Sequence, residues 1–176
     1  YTNKEYFEFA GAAGGLIDNL GYPYCRGRLF ENVEKDKGQY EEISEIFWAS
    51  GCALFIKSED FWAQNGFDAR FFAHQEEIDL CWRLKNAGKK IFYTSNSTVY
   101  HVGGGTLNKT NPRKTFLNIR NNLTMLLKNL PLTTLLWVLP IRMILDGFPG
   151  TWKRRGNHQI KNYYQEKWLV FKHFLK

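Results

Sequence analysis

Between residues 46 and 88 the hydrophobic period of the chain changes twice, and each helical stretch ends on a glycine. Residues 46–56 are rich in β-formers and bounded by charge, which predicts a buried strand. Residues 58–66 open on Ser58, carry Glu59 and Asp60 early and close at Gly66, the grammar of a short helix with a serine cap. Residues 76–88 repeat that grammar more strongly. Glu76, Glu77 and Asp79 fall in the first turn, Ile78, Cys81, Leu84 and Ala87 recur at helical spacing, and Gly88 stops the helix. Residues 90–94 and 97–101 read as a short strand or strand pair, closed by Gly103, Gly104 and Gly105.

After Pro112 a helix is expected, with Phe116, Ile119, Leu123, Leu126, Leu127 and Leu130 on one apolar face. Residues 132–176 continue as helical pieces broken at Pro140, Pro149 and Gly150. Upstream, residues 1–45 are punctuated by glycines and Pro23 and read as irregular connections with room for one short helix. The cluster from Gly11 to Gly15 could cradle a phosphate, but no Gly-Lys-Ser/Thr follows, so it is no Walker loop and reads as a flexible turn. Residues 35–45 read as a solvated, charged loop. Strand, helix, helix, strand, then helices is the order of an α/β chain.

Charge divides the chain in two. Residues 1–106 hold 11 basic and 15 acidic side chains, net −4, whereas 107–176 hold 13 basic and 2 acidic, net +11. The domain reading follows that division: 1–106 as a globular body and 107–176 as a basic, aromatic helical extension. At 176 residues and 44% hydrophobic content the chain can bury a sizeable core, which excludes disorder throughout. Cys25, Cys52 and Cys81 are too widely spaced for a Cys-x-x-Cys pair, and their odd number argues for reduced thiols in a cytosolic setting. The start at Tyr1 shows no basic-then-apolar leader and suggests a piece of a longer protein. The apolar uncharged stretch 129–141 is 13 residues, short of the roughly 20 a membrane span needs.

The densest polar cluster is His74-Gln75-Glu76-Glu77-Ile78-Asp79. Three carboxylates within four residues at a helix start can accept a proton from a hydroxyl or hold a cation. Equally, acids there simply oppose the helix macrodipole, worth about 0.3–1 kcal/mol each, and Asp79 with Arg83 forms an ordinary i,i+4 pair.

The wider pattern adds to this. Phe71-Phe72, then Glu77 and Asp79-Leu80-Cys81-Trp82-Arg83, then Gly88-Lys89-Lys90-Ile91, then Val99-Tyr100-His101 and the three glycines resemble the C-terminal half of inverting family 2 glycosyltransferases. The pattern is most similar to bacterial rhamnosyltransferase-like members that build cell-surface polysaccharide, and covers about 48–130. The resemblance implies the C-terminal part of a GT-A sandwich, the fold of nucleotide-diphospho-sugar transferases, with 1–106 as its acceptor-side half. It implies Glu77 as catalytic base, a glutamate where the family more often has aspartate, and Glu76 as a residue that orients acceptor hydroxyls. Asp79 and Arg83 would support the helix structurally.

His101 is implied as a ligand to the divalent metal, Mn²⁺ or Mg²⁺, on the nucleotide diphosphate. Trp48 and Gly51 resemble the family's acceptor-side strand, where an aromatic stacks on sugar and a small residue admits it; a core tryptophan is the competing reading. His74 reads as a pocket-wall residue, and His158 and His173 as surface residues of the tail.

The chain has no Asp-x-Asp, the family's main metal-binding carboxylates, so most of the metal site is expected in a donor half upstream. The whole enzyme would transfer a sugar, with rhamnose suggested, from a nucleotide donor to a saccharide or lipid-linked acceptor with inversion. In the tail, basic residues such as Lys153, Arg154 and Arg155 interleave with Trp152, Tyr163, Tyr164 and Trp168. That mixture suits an anionic membrane, at about 1 kcal/mol per basic residue near acidic lipid, and a peripheral position at the inner membrane face. A solvated extension that covers the domain or joins two copies is the alternative for the tail. The rival function is a non-catalytic scaffold or nucleic-acid-binding module, disfavoured by the acidic body and the lack of a recognition motif.

Overall fold

In a computed structural model the described residues are 5–7, 13–29, 32–99 and 112–147. They fall into two compact units, one of 5–72 with 76–99, the other of 73–75 with 112–147.

The first unit begins with four very short strands, β1 (Gly15–Ile17), β2 (Pro23–Cys25), β3 (Arg28–Leu29) and β4 (Asn32–Val33), paired antiparallel in chain order. Turn chemistry makes this meander. The Asp18 carboxylate accepts from the Leu20 and Tyr22 amides at 2.9 and 2.8 Å, while Gly21 takes a φ of +78° that closes the first hairpin. The described residues of 1–45 are thus organised by strands, where irregular connections with room for one short helix were expected.

β5 (Ser44–Ile46) pairs antiparallel with β6 (Ile91–Tyr93), Ser44 opposite Tyr93 and Ile46 opposite Ile91. The two sheets meet at Gly15, whose amide donates to the Trp48 carbonyl at 3.0 Å and whose carbonyl accepts from Phe47 and Trp48. A β-carbon at Gly15 would lie inside the Trp48 indole, so only glycine allows this crossing.

The strand expected over 46–56 is confined to its first residue. Ser50, Gly51 and Cys52 turn the chain, with the Ala53 amide donating to the Ser50 carbonyl at 2.9 Å, and Phe55 is left 92% exposed. Likewise 90–94 contributes β6, whereas 97–99 is not strand; Tyr100 and His101 lie outside the described residues.

α1 (Ser58–Ala63) and α2 (Glu76–Asn86) lie where the sequence places helices. The N-cap of α1 is Lys57, with no side-chain cap, in place of Ser58. Both helices end on the glycine conformations expected, Gly66 at φ +62° and Gly88 at φ +77°. One turn of 3-10 helix, Ala69–Phe71, lies between them. The core joins Ala13, Ile46, Trp48 and Phe71 to the buried face of α2, which includes Ile78, Leu80, Cys81, Trp82 and Leu84. Every strand pairing among the described residues is antiparallel; they do not themselves supply the parallel pairing usual in an α/β sandwich.

The second unit is α3 (Pro112–Asn129) and α4 (Leu132–Gly147), with the segment 73–75 laid on α3. Its buried face differs from the one expected. Leu123 and Leu126 are buried as anticipated, but Leu127 is exposed, and Asn121, Asn122 and Asn129 go inside with Leu117 and Met125. Asn121 and Asn122 are there because 73–75 needs them, whereas Asn129 bonds the Met125 carbonyl of its own helix. His74 and Gln75 hold φ values of 72° and 71°, and the Asn121 amide donates to the carbonyls of Ala73 and His74 at 2.8 and 2.7 Å. Gln75 exchanges bonds with the Asn118 carbonyl and the Asn122 side chain, and buried Arg142 bonds both Asn122 and Asp146.

α4 also runs through Pro140 without the expected break. Proline removes one helical N–H, whose partner would be the carbonyl of Leu136. Both residues are on the exposed side, where water can serve that carbonyl.

The two glycines of this region separate packing from access. Gly15→Ala should lower stability by on the order of 2 kcal/mol in urea denaturation, since ring or backbone must move. Gly51→Ala should stay within about 0.5 kcal/mol, because its β-carbon would meet Glu77 only at ordinary contact distance.

Candidate active site

The first turn of α2 carries Glu76, Glu77 and Asp79, and the fold gives each a different environment. Asp79 is fully buried. Its Oδ2 accepts from Arg83 Nε at 2.9 Å, one turn along the helix. Arg83 also donates to the Gly66 carbonyl at 2.9 Å and to the Gln64 carbonyl, the free backbone acceptors at the end of α1. The i,i+4 pair seen in the sequence is therefore a clasp between two helices. Asp79 has no path to a substrate.

Glu76 and Glu77 are only partly buried. Glu77 lies beside the turn after β5: its β- and γ-carbons are 3.7 and 3.9 Å from where a β-carbon on Gly51 would stand. Gly51 is exposed, so the absence of a side chain there leaves room beside Glu77. Of the residues assigned to a site from sequence, Gly51 and Glu77 are thus brought together within the first unit, with Glu76 the chain neighbour of Glu77. Glu76 and Glu77 each bury one carboxylate oxygen, that of Glu76 with no hydrogen-bond partner among the described residues. An ionised oxygen in that state is a strong acceptor for a hydroxyl.

Trp48 is placed otherwise. Its ring is 7% exposed and closed over Gly15, and its indole N–H donates to the Leu16 carbonyl at 2.9 Å. The ring expected to offer a sugar-stacking face is spent on packing, and the second reading of Trp48, a core residue, describes it. His74 is half-buried in the second unit, its carbonyl held by Asn121. His101, His158 and His173 lie outside the described residues, as do Gly103, Gly104 and Gly105.

No group of three or more His, Cys, Asp or Glu among the described residues could hold a metal ion. Two adjacent glutamates do not by themselves complete a divalent site.

Behind the glutamates, the Cys81 thiol is buried and its pKa is pushed up to about 11, chiefly by desolvation and further by the Glu77 charge. Cys52, near Gly51, is exposed, with its sulfur 3.2 Å from the Ser50 hydroxyl. No disulfide links the three cysteines. The network of Gln75, Asn121, Asn122 and Arg142 was not foreseen from sequence. Its one visible signal was the adjacent pair Asn121 and Asn122 at helical spacing with Leu117 and Met125.

Comparison with known proteins gives the chain partial relatives. It is 41% identical over 64 residues to the rhamnosyltransferase WbbL of Escherichia coli K12, a match covering 35% of this chain and 24% of that protein. It is 37% identical over 88 residues to the N-acetylglucosaminyl-diphospho-decaprenol L-rhamnosyltransferase of Mycobacterium tuberculosis, covering 50% of this chain and 28% of that one. The matched region thus spans about a quarter of the length of these curated relatives. No family model matches the chain, and no solved structure does.

The thiols report on the geometry beneath Glu77. Iodoacetamide at pH 8 should label Cys52 readily and leave Cys81 unmodified in the folded chain, as mass spectrometry of the peptides would show. Because folding favours the neutral Cys81 thiol, its contribution to stability is complete below pH 9.0 and is lost as pH rises toward 11. Denaturation midpoints across pH 8–11 should fall for the native chain and be flatter for Cys81→Ala.

Proposed function

We propose that this chain is the acceptor-side, base-bearing part of an inverting rhamnosyltransferase of the family 2, GT-A type. The observation that carries the reading is the open position of Gly51 beside Glu77 at the start of α2. The partial similarity to two rhamnosyltransferases supports the reaction class and the sugar.

The chemistry follows from the carboxylates. Glu77 accepts the proton of an acceptor hydroxyl as that oxygen bonds to the anomeric carbon. The bond from that carbon to the nucleoside diphosphate breaks with its electron pair, through an oxocarbenium-like state, and attack opposite the leaving group inverts the centre. The proton ends on the Glu77 carboxyl and returns to solvent. Glu76, with its unpartnered oxygen, orients a second acceptor hydroxyl. Asp79 and Arg83 are positioning residues that fix the helix bearing both glutamates. A divalent cation would neutralise charge on the departing diphosphate; His101 is this chain's proposed contribution to it.

The mycobacterial relative is named for an acceptor linked through diphosphate to decaprenol. A lipid-diphosphate-linked saccharide is accordingly the acceptor class proposed here, met at the inner face of a membrane in polysaccharide synthesis.

In the full-length enzyme Glu77→Gln should reduce transfer from a nucleotide–rhamnose donor by about 10²–10⁴-fold while donor binding stays near native. A variant that kept most of its rate would remove Glu77 as the base. The 176 residues by themselves should show no transfer with or without Mn²⁺, and turnover from them would overturn the proposed division into halves.

A further inference from the structure

α4 is the most apolar helix among the described residues, and much of its surface is uncovered. Val138 and Arg142 are buried, whereas Leu132, Leu136, Trp137, Ile141, Ile144 and Leu145 are exposed, Leu132 by 70%, Leu136 by 69% and Ile144 by 60%. At 100° per residue the exposed positions sweep roughly 220° of the helix circumference. That arc contains no charged residue: the two charges of α4, Arg142 and Asp146, are paired with each other.

Exposed apolar surface this continuous marks an interaction site. Its shape selects the partner. A helix packing on another helix uses a narrow stripe, whereas an arc of more than half the circumference suits a medium that surrounds the helix. The charge of the unit agrees. The sequence of α3 contains Arg113, Lys114, Arg120 and Lys128 and neither Asp nor Glu, and the sequence after α4 adds seven basic residues and one acidic, Glu166. Trp137 within the arc has the amphipathic ring that favours the boundary between head groups and acyl chains. At 16 residues α4 is about 24 Å long, less than the roughly 30 Å hydrocarbon core, so it would lie along the interface.

We propose that the exposed arc of α4 inserts into the head-group region of an anionic lipid bilayer, with the basic residues of the same half of the chain drawn to its surface charge. This deepens the membrane partner of the preceding reading by assigning the part that enters lipid, and it does not rest on the transfer chemistry.

The test uses the whole chain with vesicles of phosphatidylglycerol and phosphatidylcholine. Leu136→Ser with Ile144→Ser should weaken partitioning by about tenfold or more, since each removes an apolar side chain from lipid. Both positions are solvent-exposed, so circular dichroism and the melting temperature should be unchanged. Lipids brominated on the acyl chain should quench the fraction of emission that Trp137→Phe removes.

Equal partitioning of native and variant chains, with binding abolished by salt, would overturn the role of α4 and leave membrane attachment to the basic sequence alone. No vesicle binding by the native chain would overturn both. A dimer in sedimentation that the double variant converts to monomer, without change in vesicle binding, would assign the arc to a second copy of the chain and overturn the proposal.

Discussion

A carboxylate with no access to water organises the first unit. Asp79 is fully buried, and an unpaired charge there would cost several kcal/mol, so the chain must bring it a cation. Arg83 is that cation, and its remaining donors reach the two carbonyls that α1 leaves unsatisfied beyond its last turn. One guanidinium thereby neutralises α2 and caps α1. Breaking such a buried pair typically costs about 3–5 kcal/mol, against about 0–1 for exposed pairs. Lys35 with Glu5 and Lys89 with Asp60 are of the exposed kind and can vary with little effect.

In the second unit backbone strain creates the demand. Two consecutive non-glycine residues, His74 and Gln75, hold left-handed conformations, which cost on the order of 1 kcal/mol each or more. A segment in that state cannot bond its own carbonyls as a helix would. Asn121 supplies the missing donors, Asn122 holds the Gln75 side chain, and Arg142 satisfies Asn122 from α4. A buried polar set of this kind is stabilising only when each member is satisfied. That explains why α3 gives up apolar positions to asparagine.

The sequence disclosed those features whose physics is local. α1, α2 and their glycine stops were legible because acids at one end and a left-handed residue at the other are fixed by neighbours a few positions away. Strands of two or three residues contain no period to read, so the meander over 15–33 was invisible although its turn residues, Asp18, Gly21 and Gly27, stood in plain view. The apolar run at 46–56 resembled one strand because hydrophobicity alone cannot show that Ser50-Gly51 turns. The α3 face was misread for the reverse reason: Asn121 and Asn122 at core positions look polar until their partners, 47 or 48 residues away, are known. The glutamates and Gly51 were legible as a pattern, but that Gly51 stands beside Glu77 is tertiary information, as is the burial of Trp48.

Three carboxylates within four residues of one helix turn would be interchangeable if sequence spacing decided their roles. The fold makes them unequal. Successive residues on a helix point about 100° apart, so a neighbour that meets Glu77 need not meet Glu76 or Asp79. Asp79 faces inward and is held by Arg83, which removes it from any contact with substrate. Glu76 and Glu77 each keep one carboxylate oxygen shielded from water, so shielding does not tell these two apart. Glu77 faces the side where Gly51 has no side chain, and behind it lies a buried thiol that remains neutral through the physiological range and adds no competing charge. A base needs an approach for its substrate and a fixed backbone beneath it. Of the three, Glu77 is the one that borders the open position at Gly51, and the clasp made by Asp79 and Arg83 holds the helix beneath it.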